Sequence, residues 1–443
     1  MNLPHGCERS RRQFLTTLGL GLASAPFVGT GLRAQAASGR VRHVSFGTSG
    51  MAWADLTAIA SHPAVDVVAG CDVDARNTAK FREKFPQARV YKDYRELLAQ
   101  EKDVQSANVS TPDHMHAPIG LACMERGLHV YGQKPLTHDI AESRQMAELA
   151  RARNLHTQMG IQIHSSKEYR TAVRLIQEGA VGKVREVHTW SNKKWGDGAA
   201  MPAGGDAVPE TLDWNLWVGV CEMRPFIGNG WYHPGNWRKR LDFGTGTFGD
   251  MGCHIYDPVF KALALTAPLS VRSEGAAPNA HSWAVDAVCK YRFPGTAYTE
   301  GKTVDVTWYD GDQKPPREVL ELVGKGADGK SAVPGQGSIF LGTEGVLVLP
   351  HVGMPRLVGP KVEGKPVIAV EGANHWHEFV DAVLGKGRCG ANFDYAGPLT
   401  ETVLLGSVAS RFPNRELLWD AAALKFSNEA AANAHVRRAY RKA

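Results

Sequence analysis

Short apolar runs alternate with stretches of helical spacing along residues 41–162, a pattern typical of strands connected by helices. Each predicted strand is apolar almost throughout, which indicates a parallel sheet covered on both faces. Because crossovers between parallel strands are right-handed, the alternation predicts a doubly wound α/β domain over residues 40–162. The predicted strands are the runs VRHVSFG, VDVVAGCD, ARVYKD, VQSANVST, LHVYGQKP and HTQMGIQ.

The pattern changes after residue 162. An amphipathic helix and a strand are followed by residues 196–240, which are rich in Gly, Pro and Trp and predict a long ordered loop. Later strands, turned by Gly and Pro, predict an α+β domain over residues 163–430 with a mostly antiparallel open sheet. They are the runs SWAVDAVCKYRF, TVDVTWYDG, EVLELVG, GSIFLGTEGVLVLP and PRLVG. Helices are predicted at NHWHEFVDAVLG and AGPLTETVLLGSVAS, before a C-terminal tail of residues 431–443.

The N-terminal stretch ERSRRQFLTTLGLGLASAPF, residues 8–27, resembles a twin-arginine export signal. Arg11 and Arg12 precede a weakly apolar run, and residues 34–36 form a small-x-small cleavage site. We therefore expect residues 1–36 to direct the folded chain through the twin-arginine translocation machinery to the periplasm. A membrane anchor is the alternative, but the run is shorter than the ~20 residues of a spanning helix, so stable membrane insertion is not expected.

Charge and cysteine content exclude several classes of partner. The formal net charge is +6 at pH 7, and residues 1–36 hold half of it. The rest of the chain is therefore close to neutral, which argues against nucleic acid and favours a neutral small molecule. Seven scattered cysteines without a Cys-x-x-Cys pair predict neither a disulfide framework nor a zinc site.

The first predicted turn, FGTSGMA, carries a partial dinucleotide fingerprint. Gly47, Ser49 and Ala52 occupy the three positions of a G-x-G-x-x-G/A motif, with serine in place of the middle glycine. A plain turn is the alternative, but the motif lies between a strand and a helix whose N-terminus can hold phosphate. Asp72 ends the second strand, where an acid accepts hydrogen bonds from the ribose hydroxyls. An acid there favours NAD over NADP, although nearby Arg76 weakens that preference.

A second candidate site follows the fifth predicted strand, in YGQKPLTHD. Ligands of open α/β sheets bind at the carboxyl ends of the strands, where Lys134 lies. Pro135 keeps Lys134 out of the helical region, so the strand does not continue directly into a helix. A solvated loop lysine is the alternative.

A third candidate site is GTGTFGDMGCHIYDP, in which glycines precede a helix predicted to begin near Asp250. Asp250 and His254 are four residues apart and share one helical face. A histidine beside a carboxylate can act as a general base near neutral pH. The alternative is an N-cap aspartate with a core histidine. A metal site including Asp257 lacks a third ligand motif, so no metal is predicted.

These motifs, together with STPDHMHAP, resemble in sequence order the Gfo/Idh/MocA oxidoreductase family. The resemblance implies a Rossmann domain followed by an α/β domain with an open sheet, a homo-oligomer formed through that sheet, and a nicotinamide cofactor. The implied substrate is a sugar or cyclitol hydroxyl. The residues expected to contact the dinucleotide are Gly47, Ser49, Gly50, Met51, Asp72, Thr111, Pro112, His116, Gln133 and Gln162.

The family's catalytic positions fall on Lys134, Asp250 and His254. The resemblance implies that His254 takes the hydroxyl proton as hydride leaves, that Lys134 donates to the same oxygen, and that Asp250 orients a neighbouring group. Gln133 departs from the family pattern, which usually has glutamate there. Ser49 is a second departure, at the pyrophosphate turn.

The tryptophan-rich loop suggests how a saccharide is bound. Sugars stack an apolar face on tryptophan while their hydroxyls bond to polar groups, so Trp237, Arg238, His233 and Asp257 are candidate substrate contacts. The alternative, that the tryptophans anchor the loop or a subunit contact, is equally open from the sequence.

Export of a folded chain predicts that the cofactor travels bound, because no pool of free NAD exists outside the cytosol. The catalytic cycle must then regenerate its own cofactor, either by oxidising one sugar and reducing another or by oxidising and re-reducing one substrate. The second route corresponds to a redox-neutral glycoside hydrolase. A non-catalytic sugar sensor that keeps the nucleotide as structure is a further alternative.

Overall fold

The computed structural model describes residues 39–325 and 332–442. The predicted export signal, residues 1–36, lies outside the described residues. Among those residues, no helix is both long and apolar enough to cross a membrane.

The first sheet is parallel and has the strand order β3-β2-β1-β4-β5-β6, as a doubly wound domain requires. Its strands are β1 (Val41–Phe46), β2 (Val65–Cys71), β3 (Arg89–Tyr91), β4 (Ser106–Val109), β5 (His129–Gly132) and β6 (Thr157–Met159). The connecting helices are α1 (Gly50–Ala60), α2 (Ala79–Lys84), α3 (Tyr94–Gln100), α4 (His116–Glu125) and α5 (Ile140–Ala152). The α/β fold predicted from the apolar pattern is confirmed.

In the described part of the chain the second sheet has nine strands, in the order β13-β12-β11-β7-β10-β9-β8-β14-β15, and only the β7–β10 pair among them is parallel. Its strands are β7 (Val184–Ser191), β8 (Ser270–Ser273), β9 (Val288–Pro294), β10 (Thr303–Asp310), β11 (Gly337–Gly342), β12 (Val346–Pro350), β13 (Arg356–Val358), β14 (Glu416–Asp420) and β15 (Lys425–Phe426). The mostly antiparallel sheet predicted for this half is also confirmed.

The helices of the second half link the two sheets. They are α6 (Lys167–Gln177), α7 (Trp214–Val218), α8 (Gly246–Ile255), α9 (Asp257–Ala262), α10 (Arg317–Leu322), α11 (His375–Val383) and α12 (Phe393–Ala409). Helix α12 is almost wholly buried and packs against both α5 and α8. Burial of apolar side chains along its length therefore fixes the helix that carries Asp250 relative to the first sheet.

Three local predictions were wrong. The run EVLELVG is helix α10 rather than a strand, because Val319 and Val323 are four residues apart and bury on one helical face against the second sheet. Helix α8 begins at Gly246, earlier than predicted. In SWAVDAVCKYRF the strand begins only at Val288, and strands β8, β14 and β15 were not predicted.

Residues 206–243, here called the covering segment, form a small aromatic core of their own. Trp214 and Trp217 stack with ring centroids 4.9 Å apart, and Trp217 contacts Phe243 at 4.8 Å. Tyr232 packs on the same cluster. Trp214 and Trp217 therefore anchor the segment. Anchoring of the loop was one of the two alternatives that the sequence left open for its tryptophans.

Candidate active site

A cavity of about 750 Å³ lies at the carboxyl ends of β1, β2, β4 and β5. The covering segment, α8 and the C-terminal residues close its other sides. Its volume falls within the range of small-molecule sites. The predicted site residues that line it are Gly47, Ser49, Gly50, Met51, Asp72, Thr111, Pro112, His116, Gln133, Lys134, His233, Trp237, Arg238 and Asp250.

The turn after β1 has the geometry of a dinucleotide cradle. Gly47 has a φ of +96°, and a Cβ there would lie 2.7 Å from the Cβ of Ala52 and 3.0 Å from the carbonyl oxygen of Ser110. The side chain of Ser49 makes no capping bond to α1, and the first turn of α1 contains no acidic residue. The helix therefore presents its N-terminal amides to the cavity with no competing negative charge, which suits a pyrophosphate.

Asp72 lies where a ribose-binding acid was predicted, but its oxygens are already engaged. Oδ2 accepts from the backbone N–H and the hydroxyl of Thr48, each at 3.0 Å. Oδ1 accepts from the N–H of Asp74 at 3.0 Å and from Nδ2 of Asn77 at 3.1 Å. A carboxylate has about four acceptor sites, so a ribose hydroxyl must exchange with the Thr48 hydroxyl or the Asn77 amide.

Arg76 forms an ion pair with a neighbouring carboxylate. Its Nη2 donates to Oδ2 of buried Asp74 at 2.6 Å. Burial would raise the pKa of Asp74, but the hydrogen bonds from Arg76 outweigh it and lower that pKa to about 2. His233, a predicted substrate contact, instead has Nε2 3.3 Å from the same carboxylate. The guanidinium of Arg76 is thus directed at a carboxylate of the chain itself.

Lys134 and Asp250 meet in the cavity although 116 residues separate them. The Lys134 ammonium donates to Asp250 Oδ1 at 2.7 Å and to the Asp250 carbonyl oxygen at 2.9 Å. Both side chains are nearly buried, at 10% and 13% exposure. Burial alone would raise the pKa of Asp250, but Lys134 and then Arg238 hold it below its usual range.

Arg238 contacts two tryptophan rings and Asp250. Its guanidinium is 4.3 Å from the ring centroid of Trp237 and 5.5 Å from that of Trp195. Its Nε donates to Asp250 Oδ1 at 3.3 Å. The Trp237 ring therefore stacks on arginine, and because Trp237 also lines the cavity its contact with a sugar stays a prediction.

His254 lies one turn after Asp250 on α8 but does not line the large cavity. It borders a pocket of about 10 Å³ together with His351, whose ring centroid is 5.7 Å away. Burial, and then the Lys134 ammonium, hold the pKa of His254 below its ordinary value, so the ring is neutral at pH 7. A neutral imidazole can accept a proton, and the role of general base stays a prediction for His254.

Asp257 does not contact the cavity, and its predicted role in substrate binding is wrong. Its side chain is 1% exposed. It accepts hydrogen bonds from the hydroxyls of Tyr169 and Tyr395 and lies 3.0 Å from Nδ1 of His164. These contacts satisfy the carboxylate inside the core, so Asp257 is structural.

Two predicted cofactor residues, His116 and Gln162, contact other parts of the chain. Both ring nitrogens of His116 lie 2.7 Å from backbone carbonyl oxygens, those of Thr111 and Pro135, so this histidine braces two loops of the cavity wall. Gln162 lies outside the wall and reaches it through Met51, with 3.8 Å between its Nε2 and the Met51 sulfur.

A buried carboxyl beneath the cavity was missed in the sequence. Asp55, on α1, accepts from Gln133 Nε2 and the Ser110 hydroxyl at 2.9 Å, and from Trp376 Nε1 at 3.0 Å. Gln133 Oε1 in turn accepts from the backbone N–H of Lys134 at 3.0 Å. Burial raises the pKa of Asp55 despite these donors. The sequence feature that could have revealed Asp55 is an acidic residue on the apolar face of α1.

The Asp55 carboxyl accepts a hydrogen bond from the side-chain amide of Gln133, and a glutamate there would replace this donor with a second carboxyl. We therefore expect Gln133→Glu to make the stability of the protein depend on pH. Two carboxyls in contact share a proton, which raises the folded-state pKa of one of them. A carboxyl with a raised folded-state pKa stabilises the folded protein at low pH. This stabilisation is lost as the pH rises through the folded-state pKa. The melting temperature of the variant should therefore fall further below wild type at pH 8 than at pH 5.

Gln87→Glu is the matched control, because Gln87 is exposed. It should melt close to wild type at both pH values. A Gln133→Glu variant with the same deficit at pH 5 and pH 8 would contradict the contact with Asp55.

The C-terminal residues also border the cavity, which the sequence did not indicate. The N–H of Arg441 donates to the Val220 carbonyl at 2.8 Å, and its Nη2 donates to Asn215 Oδ1 at 3.0 Å. Arg441 and Lys442 both line the cavity. Two cations thus lie on the wall that the covering segment contributes.

Comparison with known proteins identifies both halves of the chain. A model of the Gfo/Idh/MocA oxidoreductase family, NAD-binding Rossmann fold, matches residues 41–161. A model of the C-terminal alpha/beta domain of that oxidoreductase family matches residues 177–329. Together the two matches cover more than half of the chain.

Curated relatives are distant and match over part of their length. A levoglucosan dehydrogenase from Pseudarthrobacter phenanthrenivorans is 22% identical over 37% of this chain and 34% of its own. An inositol 2-dehydrogenase from Salmonella typhimurium is 27% identical over 28% of this chain and 37% of its own. The chain thus spans little more than a third of the length of these relatives.

Solved structures match the fold over a larger share. The WlbA dehydrogenase from Bordetella pertussis, in complex with NADH and UDP-GlcNAcA, has a TM-score of 0.60 at 14% identity, covering 86% of this chain and 99% of its own. GenD2 from gentamicin A biosynthesis, in complex with NAD, has a TM-score of 0.56 at 18% identity, covering 86% and 97%. Fold, turn geometry and family models agree, and the chain belongs to the Gfo/Idh/MocA oxidoreductase family, with an NAD-binding Rossmann domain.

Proposed function

We propose that the protein oxidises or reduces a hydroxyl of a sugar, glycoside or cyclitol and keeps its dinucleotide bound between turnovers. The observation that carries the proposal is the Lys134–Asp250 pair, which lies in the same cavity as the dinucleotide turn. The names of the relatives, dehydrogenases of levoglucosan and inositol, support the substrate class.

The pair is arranged to hold a polyhydroxylated substrate. An ammonium has three N–H groups, and Lys134 uses two of them on Asp250, which leaves the third for a substrate oxygen. Lys134 and Arg238 both contact Oδ1 of Asp250, which leaves Oδ2 to accept from a neighbouring hydroxyl. The proposal assigns the hydroxyl proton to His254, a neutral group one turn further along α8 and behind the cavity wall. A bound nicotinamide supplies the hydride acceptor or donor.

Retention of the dinucleotide is supported by the covering segment. The N–H of Asp213 donates to the Val73 carbonyl and that of Ala75 to the Thr211 carbonyl, both at 2.9 Å. These bonds attach the segment to the chain directly after β2. Backbone contacts therefore hold the covering segment over the carboxyl edge of the first sheet. We propose that this arrangement serves export of the loaded protein to the periplasm.

Titration of the purified periplasmic protein with a panel of sugars and cyclitols tests the function. We expect absorbance in the reduced-nicotinamide band to change with at least one saccharide while no free cofactor is added. A lactone with an alditol among the products indicates paired oxidation and reduction, whereas a free sugar without net oxidation indicates a redox-neutral glycosidase. A cofactor whose redox state never changes with any saccharide would contradict the enzyme assignment.

Replacing Arg441 and Lys442 tests separately whether the protein retains its dinucleotide. The double variant Arg441→Met/Lys442→Met should bind NAD at least about tenfold more weakly, because each charged hydrogen bond is worth about 1.5–3 kcal/mol. Equilibrium binding of NAD to the stripped protein measures the change. The control Lys425→Met/Arg437→Met removes the same charge from exposed positions outside the cavity. Equal affinities of the two double variants for NAD would contradict a role of Arg441 and Lys442 in holding the dinucleotide.

A further inference from the structure

A second cavity, of about 430 Å³, lies behind the first. Val220 lines both cavities and separates them. The second cavity is bounded by the end of α12, the start of α5 and the residues that follow β15. No predicted site residue lines it, and the proposed reaction does not use it.

One arginine in this cavity lacks a counter-ion. In the described part of the chain, the guanidinium of Arg411 has neither a hydrogen bond nor an ion pair, and it lies 5.0 Å from the ring centroid of Trp283. Burial lowers the pKa of Arg411, and Asp242 and Asp139 offset this only in part. A half-buried guanidinium without a hydrogen-bond partner leaves its N–H groups available to a ligand inside the cavity.

The other arginines of the wall are already paired. Arg224 lies 2.5 Å from Asp242. Arg438 lies 2.7 Å from Asp139 and 2.9 Å from Glu142. Glu222 also lines the cavity, so the arginines and acids of the wall balance, and among the described residues Arg411 is the arginine of this wall that has no ion pair.

Two neutral groups in the cavity wall are also unsatisfied. Among the described residues, the Ser407 hydroxyl and Nδ1 of His138 are buried without a hydrogen-bond partner. Nε2 of His138 lies 3.0 Å from the Leu241 carbonyl oxygen and must donate to it. Nδ1 lies 3.6 Å from Asp139 Oδ2, beyond hydrogen-bond distance, and is left open to a ligand hydroxyl.

We infer that the second cavity binds a small polyhydroxy carboxylate, with its carboxylate on Arg411 and hydroxyls on His138 and Ser407. A planar guanidinium pairs with a carboxylate through two parallel N–H bonds. Asp139 and Asp242 also line the cavity, and their charges disfavour a second negative charge on the ligand. A sugar acid therefore fits better than a sugar phosphate.

The position of the cavity couples it to the proposed active site. His138 follows Lys134 by four residues on one loop, and Thr245, which precedes α8, lines the second cavity. The Thr245 hydroxyl donates to Asp113 at 2.7 Å, and Asp113 lines the large cavity. Both segments that carry the Lys134–Asp250 pair thus border the second cavity.

Calorimetric titration of the full-length mature protein with gluconate tests the site. We expect gluconate to bind, and glucose and glucose 6-phosphate to bind at least tenfold more weakly in the second cavity. Arg411→Met should weaken gluconate at least tenfold, whereas Arg82→Met, which removes an exposed arginine, should leave it unchanged. Equal gluconate affinity in Arg411→Met and wild type would place the ligand elsewhere and overturn the proposal.

Thermal melting of the same variants provides a second readout. If Arg411 is kept for a ligand, Arg411→Met removes an unpaired, half-buried charge and should melt at or above the wild-type temperature without gluconate. Gluconate should raise the melting temperature of wild type and of Arg82→Met but not that of Arg411→Met. An Arg411→Met variant that melts well below wild type would show that the arginine is structural, which also overturns the proposal.

Discussion

Replacing Lys134 with methionine is expected to lower kcat by about 10²–10³ while the protein still binds its dinucleotide. The ammonium is the donor left facing the substrate oxygen, and the loss of one preorganised donor to a developing negative charge has an effect of this size. Methionine keeps most of the side-chain volume, so the cavity should not collapse. Asp250 keeps one cationic partner, Arg238, which limits the cost to folding.

Single-turnover kinetics on the loaded protein would measure this change, with bound NAD quantified in the same sample. Lys80→Met is the matched control, since Lys80 is exposed on α2. A parallel His254→Asn variant tests the proton acceptor, which should contribute about 10²–10⁴ if it is the general base. Turnover of Lys134→Met within a few-fold of wild type would remove the lysine from the mechanism.

Replacing Arg438 with methionine should destabilise the protein by about 3–5 kcal/mol, because it leaves buried carboxylates without their counter-ion. Arg438 contacts both Asp139 and Glu142, and its Nη2 also donates to the His114 carbonyl at 2.7 Å. The three charged side chains are at most 17% exposed. Solvent therefore screens little of the interaction.

Urea unfolding at pH 7, followed by tryptophan fluorescence, would measure the loss of stability. Arg415→Met is the control, because Arg415 pairs with Glu429 at the surface, where an ion pair is worth about 0–1 kcal/mol. A shift of the unfolding midpoint no larger for Arg438→Met than for Arg415→Met would contradict the buried network.

The apolar pattern of the first half was sufficient to predict its sheet because parallel strands are buried on both faces. The same reasoning failed at α10, where Val319 and Val323 fit two periodicities within a short run. Burial against the second sheet, which sequence alone does not show, selects the helix.

The candidate site was predictable only in part. The resemblance identified Lys134 and Asp250, but their direct contact depends on how α8 packs against α12 and the first sheet. The pairing of Asp55 with Gln133 and the arginine on Trp237 arise from contacts between distant segments. Spacing along the chain gives no information about such contacts.

Arg441 and Lys442 are the last residues of the cavity wall to be synthesised. Both sheets, the turn at Gly47 and the covering segment are synthesised before Arg441 and Lys442 emerge. Because domains fold as units during synthesis, the first sheet can admit a nucleotide while its last wall is still missing. The dinucleotide site is thus open to a nucleotide before Arg441 and Lys442 close the last side of the cavity.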